Sequence, residues 1–133
     1  MTVSLYNAAK AILDVALTLS GIRNAPDAIP EQAGVFPFVA CFPHEGRWVK
    51  EFSKVGGLHT LILELHLERD PLPQAYELAM GYAETVPVAL YADITLGGTV
   101  ETITQIRYEF GALGWGEAKT IGFCWFVEVK VHI

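Results

Sequence analysis

The sequence predicts an α+β fold: a mostly antiparallel sheet with an N-terminal helix and a central helix pair packed on one face. Three observations carry this. Apolar residues recur at helical spacing near the start and again in the middle of the chain, and they alternate with period two in the intervening and final segments. The elements run helix, hairpin, strand, helix pair, hairpin, without the β-α-β alternation that would call for a parallel sheet.

Leu5, Ala8, Ala9, Ile12, Ala16 and Leu19 share one face of a helix over residues 4–20, with Ser4 placed to cap its start and Gly21 to stop its end. From Gly21 to Gly34 the chain gathers Asn24, Pro26, Asp27, Pro30 and Gln32, which reads as a long connection. Residues 35–42 form a β-type run, Pro43 to Gly46 a turn, and residues 47–55 an alternating strand, together a hairpin. After Gly56 and Gly57, Leu61, Leu63, Leu65 and Leu67 point to one side of a strand, and Ile62, Glu64, His66 and Glu68 to the other.

Asp70-Pro71-Leu72-Pro73 announces a helix, since proline at the first turn gives up an N–H that would have no intrahelical partner. Ala75, Leu78, Ala79 and Tyr82 continue it. Pro87 interrupts the pattern, so a second short helix or turn follows, with Leu90 and Ile94 facing the core, until Leu96-Gly97-Gly98 ends it. Residues 99–110 and 118–131 read as two long strands of a C-terminal hairpin joined across Gly111 to Gly116. Ile121, Phe123, Trp125, Val127, Val129 and Val131 line one face of the last strand, while Cys124 and Phe126 make its other face apolar midway. Such a strand is central in its sheet or covered by a neighbour.

The 133 residues make one domain, 1–133, with enough apolar content (52%) to bury a core without metals or disulfides. Charged residues are 18% of the chain, below the roughly 25% usual for soluble proteins, and mean hydropathy is +0.34. Part of the surface is therefore expected to face something other than water. A net charge of −6 with dispersed cations argues against binding nucleic acid through its phosphates. The composition lacks a membrane-spanning stretch and a leader pattern, so a soluble, unexported protein is expected. Cys41 and Cys124 read as small core residues.

No arrangement demands catalysis or a cofactor. Glu64, His66 and Glu68 at i, i+2 spacing would present three ligand groups in a row, which leaves a small metal- or ligand-binding domain as an alternative. The plainer reading is a solvated polar face, and His59, an odd number of residues from His66, projects from the opposite face. Gly97-Gly98-Thr99 lacks the rest of a phosphate loop and precedes a strand, so it reads as a tight exit from the helix. The aromatics point elsewhere. Trp48 and Trp115 fall in or near predicted hairpins, and Trp115, between Gly114 and Gly116, is hard to cover within one subunit. These two tryptophans, with Pro26 and Pro30 of the long connection, are the candidate interface residues, and catalytic, cofactor and metal residues are assigned to none.

The order of elements, with LGGTVETITQIRYEFGALGWGEAKTIGFCWFVEVKV over residues 96–131, resembles the tail-completion or tail-terminator proteins of long-tailed bacteriophages. The shared features are the N-terminal amphipathic helix, the Arg69-Asp70-Pro71 turn, Leu-Gly-Gly before a strand and the closing Gly-rich hairpin. That resemblance implies a homo-oligomeric ring, commonly a hexamer, at the head-proximal end of the tail tube. Its partners would be copies of itself, the major tail tube protein and a head-tail connector protein, within a virion assembled in the host cytoplasm. Other phage neck and tail-tube proteins share such a fold, and a dimeric interaction module is a further alternative.

Overall fold

The structure is a computed structural model that describes residues 4–19, 37–68, 72–115 and 118–132. Its elements are α1 (Ser4–Leu17), β1 (Phe38–Gly46), β2 (Val49–Glu51), β3 (Lys54–Glu68), α2 (Leu72–Ala92), β4 (Thr102–Trp115) and β5 (Ala118–His132). The chain is α+β, and all pairings of its five-stranded sheet are antiparallel, in the order β1-β3-β5-β4 with β2 paired to β3.

Register explains the burial. Leu61, Leu63, Leu65 and Leu67 lie opposite Val127, Trp125, Phe123 and Ile121, so the odd-numbered rows of both strands fall on one face. Ala8, Ile12, Leu13 and Ala16 of α1 and Ala79, Tyr82, Val86 and Leu90 of α2 join that row in a single buried cluster. At roughly 1.5–3 kcal/mol for each large apolar side chain, this cluster is the main source of stability. β5 lies between β3 and β4, the central position its doubly apolar midsection calls for.

The chain departs from expectation in three places. Of the hairpin expected from residues 35–42 and 47–55, the described residues do not pair with each other. β1 runs on through Pro43 to Gly46 and pairs with β3, with a register shift between Pro43 and Glu45, and only Val49–Glu51 folds back on Lys54–Gly56. A proline that cannot donate is tolerated there because β1 is an edge strand and the irregularity absorbs it. β3 then continues through the two glycines that read as a break. Gly57, at φ 141°, leaves room for the Arg47 carbonyl where a Cβ would collide with it.

Secondly, α2 is one helix across Pro87 in place of a helix pair. The proline costs up to about 3 kcal/mol, but Val86 and Leu90, on either side of it, are both buried, and their burial outweighs that loss. The helix exits through a turn in which Gly97 and Gly98 have positive φ and the Gly97 N–H donates to Asp93 Oδ1 at 3.1 Å. Ile94 is exposed, against expectation, and Leu96 fills the core position. Lastly, β4 begins at Thr102 and extends to Trp115, which pairs with Ala118, so the segment expected to be a loop from Gly111 is strand.

Candidate functional site

The even-numbered face of the sheet carries a polar relay. His66 lies next to the β5 register position of Thr120, and its Nδ1 is 2.6 Å from Thr120 Oγ1. Its Nε2 is 2.8 Å from Glu64 Oε1. His66 and Thr120 are fully buried, and the Phe38 ring lies 5.4 Å from the imidazole. The solvated polar face expected here is therefore an enclosed one at His66. A histidine, a hydroxyl and a carboxylate in series are the groups of acyl-transfer chemistry, but with both ring nitrogens engaged and the hydroxyl buried the arrangement is suited to holding the imidazole in place. The described residues contain no group of three His, Cys, Asp or Glu side chains set to hold a metal ion. Glu68 is described as β3 backbone, and its side chain lies outside the described residues.

Cys124 sits in the same rows, opposite Glu64 on one strand and Glu109 on the other. Burial, followed by the Glu64 and Glu109 carboxylates, pushes its thiol up to about 12, so at neutral pH it stays protonated and weakly nucleophilic. Burial also pushes the Cys41 thiol far up, and both cysteines are free. An open depression of about 500 Å³ lies over Cys124 beside Glu109, Gly111 and Leu113.

The apolar surface gathers in two other places. One is the β2–β3 hairpin. Glu51 pairs with Lys54 across a two-residue turn, Phe52-Ser53, and Phe52 is fully exposed at φ 53°. Trp48 and Val55 on one side of this hairpin, and Val49 and Leu58 on the other, are exposed as well. Trp48 is 47% exposed and leans on His59, with ring centroids 4.1 Å apart. The second place is the β4 edge beside α2. Tyr108 (59% exposed) and Phe110 flank the buried Phe123 at 5.6 and 4.9 Å, and Tyr76 of α2 meets Phe110 edge-on at 5.9 Å. Met80 continues this stripe one turn along α2 and is also exposed.

Of the candidate interface residues, Trp48 is thus on the surface. Pro26 and Pro30 lie outside the described residues. Trp115 closes β4, and its side chain is likewise outside them. Sequence reading missed Phe52, Tyr76, Tyr108 and Phe110. Phe52 carried a signal, since a phenylalanine at the centre of a two-residue turn is out of place, but the turn itself was misplaced. No helix in the described residues is long and apolar enough to cross a membrane.

The sequence matches no protein-family model and no curated protein.

Proposed function

We propose that this chain is a structural subunit that assembles with copies of itself into a ring at the head-proximal end of a phage tail tube, ending tail growth and presenting the surface on which the head docks. The ring is a hexamer in this reading, placed between the major tail tube protein and a head-tail connector protein. The role needs no catalysis and no cofactor.

One observation carries the self-assembly part: two separate apolar surfaces, the Phe52 hairpin and the Tyr76–Tyr108–Phe110 stripe, lie exposed at opposite edges of one sheet. Two unlike patches on one subunit favour head-to-tail contacts, which give a ring when the rotation between neighbours closes and a filament when it does not. The placement on a tail rests on the resemblance of residues 96–131 and on a surface too acidic to hold DNA.

Native mass spectrometry of the purified protein, followed by negative-stain imaging, tests this. A closed ring of about six copies with a central hole is the expected outcome. A monomer or a two-fold dimer at every concentration would overturn it.

A further inference from the structure

Phe52 occupies a costly position. The two-residue turn has positive φ at its first central residue and, of the two, only there, the II′ pattern in which glycine is preferred. A side chain larger than hydrogen there carries roughly 1–2 kcal/mol of backbone strain, and Phe52 recovers none of it by burial, because its ring is fully exposed. The hairpin around it is apolar on both sides, and Lys54 and Val55 extend past Gly56, the last β3 residue paired with β5. It is also the basic corner of an acidic molecule: residues 47–54 hold Arg47, Lys50 and Lys54 against Glu51 alone.

At the opposite edge of the sheet, the Tyr76, Met80, Tyr108 and Phe110 stripe lies beside two exposed carboxylates of α2, Glu77 and Glu84. One surface is a projecting apolar knob with a basic collar. The other is an aromatic shelf with acidic flanks.

We infer that the Phe52 hairpin of one copy docks on the Tyr76–Tyr108–Phe110 shelf of the next, and that this single repeated contact builds the ring. The occupant is a second copy of this chain, because the two surfaces match each other in shape class and in charge. The inference rests on the ring reading above. Phe52 is its anchor, and the strain at φ 53° is retained because removing the side chain would remove the contact.

The contact predicts opposite effects of one substitution. Phe52→Gly should leave the melting temperature of the subunit unchanged or higher, and should weaken assembly at least about tenfold, the scale of losing a central aromatic anchor. Tyr108→Asp should weaken assembly equally, and Glu77→Lys, on an exposed helix position that cannot disturb the core, should weaken it as well. Mixed together, Phe52→Gly and Tyr108→Asp subunits should form one-to-one dimers and nothing larger, since the first keeps a sound shelf and the second a sound hairpin. Native mass spectrometry reads all of these. Wild-type rings that persist unchanged in Phe52→Gly, or a mixture that stays monomeric, would overturn the contact while leaving the ring reading in place. A wild-type protein that never assembles would remove both.

Discussion

Two histidines on β3 show how differently one side chain is treated on the two faces of a sheet. His66 is buried with Thr120 on one nitrogen and Glu64 on the other, so its burial is matched by hydrogen bonds. His59, seven residues earlier and on the other face, is also buried, but among the described residues its Nε2 has no hydrogen-bond partner, and its neighbour is the Trp48 ring. Burial lowers its pKa from the ordinary 6.5. The folded protein then refuses a proton that the unfolded chain accepts, so the contribution of His59 is complete above pH 6.5 and is lost as pH falls through the lower folded value. Thermal melts of the wild type and His59→Leu should therefore diverge below that pH, the wild type losing more. Parallel curves would show that His59 is solvated.

The helices and strands divide by how local their cause is. α1, β3 and β5 were legible because each carries an unbroken apolar period: Leu61 to Leu67 and Ile121 to Val131 place an apolar residue at every second position, and all of these are buried apart from Ile121, which is partly so. β1 and β2 were misread because Pro43 and the Gly56-Gly57 pair are breakers by local rules, whereas an edge position and the close approach of the Arg47 carbonyl make them acceptable here. Pro87 was misread for a similar reason, since packing on either side of it outweighs a missing hydrogen bond. Pro87→Ala should consequently raise the unfolding free energy in urea, by no more than the ~3 kcal/mol that proline costs inside a helix. A fall in stability would mean that α2 depends on the proline for its path over the sheet. The candidate site was the least legible part. Trp48 was singled out for its aromatic character and lies on the surface, but the shelf of Tyr76, Tyr108 and Phe110 exists only because α2 and β4 meet, and no spacing in the sequence encodes that meeting.

Charge sets a condition on the proposed assembly. Bringing together subunits of net charge −6 is repulsive at long range, but the Debye length is already about 10 Å at 0.1 M salt, so most of that repulsion is screened. The hairpin and the acidic flanks of the shelf would meet at a few ångströms, where screening is less complete. Raising sodium chloride from about 0.1 to 0.5 M should therefore weaken the ring, seen as a higher protein concentration at half assembly. Strengthening by salt would mean that apolar burial alone drives the contact. The pairing of β3 with β5 bears on how such a molecule is made. Fifty-four residues separate His66 from the Thr120 it bonds, and contacts this distant in sequence form slowly. On a ribosome β3 emerges well before β5, with its leucine row and one hydrogen-bonding edge both uncovered. The nascent chain thus passes through a window in which its open edge can pair with the wrong strand, the same strand of a neighbouring copy included. A chaperone that shields Leu61 to Leu67 until β5 arrives would shorten that exposure and raise the yield of folded protein.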